Sequence, residues 1–87
     1  MLNDPLGMPR FLLHHSHEAH ECAAAFAAWK GFTSPLRGRP TLGSCLSGRH
    51  EIWWELEASS EREALARLPG YVAERTQAIQ VSEVHVP

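Results

Sequence analysis

The order in which two kinds of hydrophobic periodicity follow one another is the strongest constraint on how this chain folds. Four short segments are predicted as strands, of which 50–58 alternates clearly and 41–47 is weaker, and two segments have the i, i+3, i+4, i+7 pattern of helices. The predicted strands are 10–17, 41–47, 50–58 and 77–86. The predicted helices are 18–31 and 60–68. The chain therefore has the order strand, helix, strand, strand, helix, strand.

Local signals define the two predicted helices. The first has an apolar stripe at helical spacing, formed by Cys22, Ala25, Phe26 and Trp29. Ser60 and Glu63 have the spacing of a capping box, which marks the start of the second helix. The pair Pro69-Gly70 then ends or kinks this helix near Leu68.

This element order predicts an α+β domain of the ferredoxin-like βαββαβ type, with a four-stranded antiparallel sheet and two helices on one face. We expect the strand order 4-1-3-2, with strands one and three parallel. The other sheet face is bare in a monomer and carries Trp53. Because a large exposed aromatic residue favours a partner surface or a ligand cavity, we predict a homodimer, as in dimeric α+β barrels.

Length and charge exclude several classes of protein. The 87 residues suit a single domain over 10–87, preceded by a flexible tail over 1–9 with Pro5, Gly7 and Pro9. The net charge of −2 gives no basic excess for nucleic acid. No signal peptide and no apolar stretch long enough to span a membrane is found, so we expect a cytoplasmic protein with reduced thiols.

A small basic group lies in the predicted loop after the first helix. Arg37 and Arg39 are close together in sequence, and Lys30 lies a little upstream. This group is interpreted as a solvated loop, with a small anion site as the alternative.

Four histidines near the end of the first strand are the main candidates for chemistry. His15 and His17 alternate, so a strand places both imidazoles on one face, and His20 in the first helical turn could approach them. Converging imidazole nitrogens suit a transition metal such as nickel, zinc or copper. The alternatives are partly exposed histidines bonded to the backbone, or a catalytic acid–base histidine. His50 and His85 are expected to lie far from this group.

The bare sheet face gives a second candidate site. His14 could lie beside Trp53 and Glu55 there, as an acid–base pair against an aromatic wall that binds a small molecule or cofactor. The alternative is that Glu55 and Glu57 are simply solvated residues of an alternating strand. Cys22 is interpreted as a small buried apolar residue of the helical stripe. Cys45 has no basic neighbour in sequence to activate it.

The closing run "ARLPGYVAERTQAIQVSEVHVP" resembles the end of YCII-related proteins, in which a helix, a "PYV"-type segment and a Val-rich strand follow one another. The size and the histidine-bearing first strand also resemble small stand-alone ferredoxin-like proteins, some of which bind nickel or another metal. The first resemblance implies small-molecule chemistry with a His and Asp pair. Here the only aspartate is Asp4, in the tail, so no catalytic residue is transferred.

Three functions follow as hypotheses. The first is a homodimeric protein that binds a metal ion or small molecule through the strand-one histidines and the open sheet face. The second is a small dimeric α+β-barrel enzyme of the isomerase, lyase or cofactor-independent oxygenase type, with a His/Glu pair. The third is an accessory protein that only associates with a partner protein.

Overall fold

A computed structural model describes residues 7–87. Its strands are β1 (Arg10–Ser16), β2 (Leu42–Gly43), β3 (Glu51–Glu57) and β4 (Thr76–Val81). Its α-helices are α1 (Cys22–Ala27), α2 (Glu61–Leu65) and α3 (Gly70–Ala73). Short 3-10 turns cover Ala19–Glu21 and Cys45–Ser47. The chain is therefore an α+β protein, as its periodicities predict. The tail predicted over 1–9 lies largely outside the described residues.

All four strands join one open sheet in the order β2-β3-β1-β4, and every neighbouring pair is antiparallel. The prediction that β1 and β3 run parallel is wrong, because Arg10 pairs with Glu57 and Ser16 with Glu51. The reason lies in the connections. β1 and β2 have the same direction, and β3 turns back from β2 to lie between them. β3 must therefore oppose β1.

The two sheet faces differ in their cover. The helices pack on the face that carries Phe11 and Leu13 of β1 and Trp54 of β3. The buried core on this side also includes Leu36, Ala58, Ala64, Leu68 and Val72. The opposite face, called the open face below, carries the side chains of Leu12, His14, Leu42, Trp53, Glu55 and Ile79. All of these are half-buried or exposed.

The elements around β2 are shorter than predicted. The predicted strand 41–47 is reduced to Leu42–Gly43, and a 3-10 turn follows at Cys45–Ser47. Gly48 ends this turn with φ 89°, a conformation that side chains disfavour. The predicted helix 18–31 contains a 3-10 turn and then α1, which ends at Ala27.

β4 ends at Val81, and the prediction that it continues to Val86 is wrong. The physical reason is the lack of a partner. Within the described part of the chain, β4 lies at the sheet edge and pairs only with β1, whose first residue, Arg10, already pairs with Val81. Val84 and Val86 are consequently exposed. Among residues 7–87, no helix has the length and apolar character needed to cross a bilayer.

Candidate metal centre

Three chain segments meet at one corner of the sheet. The end of β1 lies against the start of β3, and the backbone N–H of His17 donates to the carbonyl oxygen of His50 at 3.0 Å. α1 begins five residues after His17, with Cys22 as its first residue. The antiparallel pairing of β1 and β3 therefore brings His50 beside His17 and Cys22, although it is far from both in sequence.

The side chains of His17, Cys22 and His50 form a compact group of nitrogen and sulfur donors, called the metal corner below. Nε2 of His17 lies 3.4 Å from Sγ of Cys22, and Sγ lies 3.6 Å from Nδ1 of His50. All three donor atoms lie within 4.8 Å of one another. His17 is buried, and Cys22 and His50 are half-buried. This group could hold a metal ion.

His15 supports His17 from the protein interior. Its Nδ1 lies 3.3 Å from the carbonyl oxygen of Val72 and 3.1 Å from Oγ1 of Thr76, whose hydroxyl already donates to that carbonyl. Nδ1 of His15 therefore carries the proton, and Nε2 accepts. Nδ1 of His17 donates to this Nε2 at 2.8 Å. The remaining nitrogen of His17 is thus left as a lone pair that faces Cys22.

Burial favours the neutral form of these two imidazoles. It lowers the pKa of His15, although the hydrogen bond to Val72 opposes this effect in part. Burial also lowers the pKa of His17, and the neighbouring His50 lowers it further. A metal ion binds the neutral form of imidazole, so the corner favours the ligating form near neutral pH.

An ion pair fixes the start of α1. The side chain of Glu21 accepts from the backbone N–H of Glu18 at 2.9 Å and from Nε of Arg75 at 3.0 Å. Both contacts lower the pKa of Glu21, the first more than the second. Arg75 also lies over the ring of Tyr71, 3.7 Å from its centroid. Since Glu21 directly precedes Cys22, these contacts tie the cysteine-bearing turn to the segment before β4.

The structure redistributes the predicted metal ligands. His17 belongs to the metal corner, whereas His15 lies behind it and His20 is exposed on the turn before α1. The prediction that His50 is distant is wrong, because it rested on a parallel β1–β3 pair. His85 follows β4, which ends beside Arg10 at the far end of β1.

Cys22 and His50 are the residues that sequence reasoning missed. The separation of Cys22 from His17 matches no known metal-binding motif, and the place of Cys22 in an apolar stripe favours a packing role. The one signal for His50 was topological. An antiparallel β1–β3 pair places the end of β1 beside the start of β3, which His50 directly precedes.

On the open face, His14 and Trp53 are neighbours as predicted, with stacked rings 5.3 Å apart. The carboxylate that contacts His14 is that of Glu51, at 2.7 Å, while Glu55 pairs with Arg10 at 3.3 Å. A cavity of about 270 Å³ is lined by Trp53 and Glu55 among others, but not by His14. The catalytic roles of His14 and Glu55 and the cofactor role of Trp53 stay predictions.

Comparison with protein-family models, with curated proteins and with solved structures finds no significant match to the chain.

Proposed function

We propose that this protein binds a transition-metal ion, zinc, nickel or copper, through His17, Cys22 and His50. The main support for this proposal is the distance between the donor atoms. In a tetrahedral site with the usual zinc–nitrogen and zinc–sulfur bond lengths, nitrogen and sulfur ligands lie about 3.5 Å apart. The two nitrogen–sulfur distances in the metal corner are 3.4 and 3.6 Å.

The donor types define which metals fit. Two imidazole nitrogens and a thiolate suit zinc, copper and nickel, whereas magnesium and calcium prefer oxygen ligands. Three protein ligands leave a fourth position, as in sites that exchange a ligand and unlike closed structural zinc sites. When bound, such a metal would act as a Lewis acid on a molecule in that position. Cys22 and His50 are half-buried, so solvent can reach them.

The supporting contacts strengthen the proposal. Metal-ligating histidines usually donate their second ring N–H to an acceptor, which fixes the ring and its tautomer. His15 supplies that acceptor to His17, and the hydrogen bond is made inside the protein. His15 is itself held by Val72 and Thr76.

The test is the metal content of untagged protein, purified without added metal or chelator, followed by titration of metal-free protein with cobalt(II). Cys22→Ser is compared with Cys45→Ser, the same change at the other cysteine. We expect the wild type and Cys45→Ser to bind cobalt with the absorption of a thiolate-to-metal transition. Cys22→Ser should lack that absorption.

A second pair of variants tests the histidines. His50→Gln should weaken cobalt binding by more than about a hundredfold, because it removes a ligand rather than a supporting group. His20→Gln is the matched control and should leave binding unchanged, since His20 is exposed outside the metal corner. Binding that survives both Cys22→Ser and His50→Gln would refute this site.

We also propose that the domain is ferredoxin-like and pairs with a second copy through its open face. Exposed apolar residues support this pairing, since Leu42 is 75% exposed and Ile79 is 44% exposed. Trp53 adds an aromatic surface between the strands that carry them. Light scattering should give the mass of a dimer for the wild type and of a monomer for Ile79→Lys. A monomeric wild type would contradict the pairing.

A further inference from the structure

A second cavity, separate from the metal corner, lies where α1 and the loop after it meet β3. Its volume is about 340 Å³, which is within the range of small-molecule sites. Its walls include Phe26, Trp29, Leu36, Ile52 and Trp54. These side chains are apolar or aromatic, so the cavity suits the hydrocarbon part of a ligand.

The floor of this cavity is fixed by core packing. Trp54 is 7% exposed and Leu36 is 4% exposed, so both belong to the buried core. The ring of Trp29 packs on that of Trp54, with centroids 5.9 Å apart. Phe26, in contrast, is 57% exposed although it lines the same cavity. A flat apolar group in the cavity would cover this exposed ring.

Two arginines line the open end of the cavity. Arg37 and Arg39 are exposed residues of its lining, whereas Leu36 and Trp54 are buried, so the arginines form the solvent side of the cavity. Gly38 between them has φ 77°, which lets the chain turn so that both residues face one cavity. Within residues 7–87, neither arginine forms an ion pair, and the guanidinium group of Arg37 donates only to the carbonyl oxygen of Phe32.

The charge pattern of the sequence agrees with this arrangement. Residues 22–50 contain no aspartate or glutamate, although the whole chain has more acidic than basic residues. The same segment contains Lys30, Arg37, Arg39 and Arg49. Arginine matches the geometry of a carboxylate, with two parallel hydrogen bonds. An apolar cavity with arginines at its open end therefore has the complementarity of an apolar acid.

We propose that this cavity binds a small aromatic carboxylate, with its rings against Phe26 and Trp29 and its carboxylate between Arg37 and Arg39. The ligand class follows from the volume, the apolar walls and the unopposed positive charge. The proposal does not depend on metal binding, because none of the metal-corner residues lines the cavity.

The test is calorimetric titration with naphthalene-2-carboxylate and with the uncharged naphthalene-2-carboxamide. The carboxylate should bind the wild type at least about tenfold more tightly than the amide, as a charge-assisted hydrogen bond implies. The double variant R37Q/R39Q should remove this preference. The control R62Q/R67Q makes the same charge change outside the cavity and should keep it.

All of these substitutions are at exposed or half-exposed side chains, so the fold should survive, which circular dichroism can verify. Phe26→Ala should weaken both probes, because it removes part of the ring contact. Equal binding of acid and amide to the wild type would overturn the proposal. So would an absence of binding by either probe, or an equal loss in R62Q/R67Q.

Discussion

His14 and His15 are adjacent on β1, and the sheet gives them opposite environments. His15 is fully buried and bonds only to protein groups, among them His17 and Thr76. His14 is half-buried on the open face, where it stacks on Trp53 and contacts Glu51. Two identical side chains thus have different burial and different partners, because successive residues of a strand point to opposite faces.

The comparison shows what each face can support. On the covered face, burial favours neutral imidazoles and neighbouring groups hold them in place, which suits metal ligation. On the open face, the imidazole lies beside a carboxylate and an aromatic ring in contact with solvent, which suits association with another molecule. The environment of each histidine therefore depends on the face and the strand end at which it lies.

Leu12 and Leu13 give the largest expected difference between the two faces. Leu13 is fully buried, so Leu13→Ala should lower the free energy of unfolding by about 2–5 kcal/mol. Leu12 is half-buried on the open face, so Leu12→Ala should cost clearly less. Chemical denaturation of both variants measures the difference.

The same pair of variants tests the proposed homodimer. If a second copy covers the open face, the loss at Leu12 should grow with protein concentration, because dimerisation adds stability by mass action. A loss at Leu12 that equals that at Leu13 at every concentration would contradict the difference between the faces.

His15→Leu and His14→Leu give the next largest expected effect, on metal affinity. His15→Leu removes the acceptor for Nδ1 of His17, so cobalt affinity should fall by about 10–100-fold while the stoichiometry stays the same. His14→Leu makes the same change on the other face and should leave affinity unchanged. Competition with a chromophoric chelator measures both, and an equal loss in the two variants would disprove the supporting role of His15.

The sequence predicts the elements with strong periodicity and misses what depends on strand direction. β1 and β3 lie close to their predicted limits, and in β3 the alternation of Ile52, Trp54 and Leu56 specifies the strand. β2 does not, since Gly43 and Gly48 weaken the strand preference of its segment. The predicted end of β4 failed because a strand also needs a partner, which local sequence does not reveal.

The candidate site was also predictable only where it depends on local sequence spacing. The HxH spacing correctly places His15 and His17 side by side, His15 in β1 and His17 directly after its last residue. Their different roles, and the contribution of His50, follow from how β1 pairs with β3, which is a property of the whole sheet. Cys22 could not be distinguished from a packing residue by the apolar stripe that contains it.

The metal-free protein should lose stability as the pH falls from about 7 to about 5. His15 and His17 have folded-state pKa values below their ordinary value of 6.5, and burial is the main cause. Below that value the unfolded chain binds protons that the folded state does not, so protonation favours unfolding. Above it both states are neutral, and these groups add no pH dependence.

Denaturation in the presence of chelator at several pH values measures this slope. The groups that face the two imidazoles are His50, Glu21 and Arg75. His15→Leu should flatten the slope, because it removes one of the two depressed titrations. An unchanged slope in that variant would assign the pH dependence to other groups.

The smallest expected effect concerns Glu51 on the open face. Its carboxyl pKa is lowered, first by the hydrogen bond from His14 and then by Arg49, while partial burial opposes both. Nη2 of Arg49 lies 2.6 Å from the carboxylate, but its side chain is 73% exposed, so solvent screens this ion pair. His14→Val should therefore raise the pKa of Glu51 more than Arg49→Gln does, as carboxyl NMR titration can measure.

A larger pKa shift in Arg49→Gln would mean that the charge of the arginine, rather than the stacked histidine, controls the pKa of this carboxylate. The contact between His14 and Glu51 would then not be what gives His14 a different environment from His15.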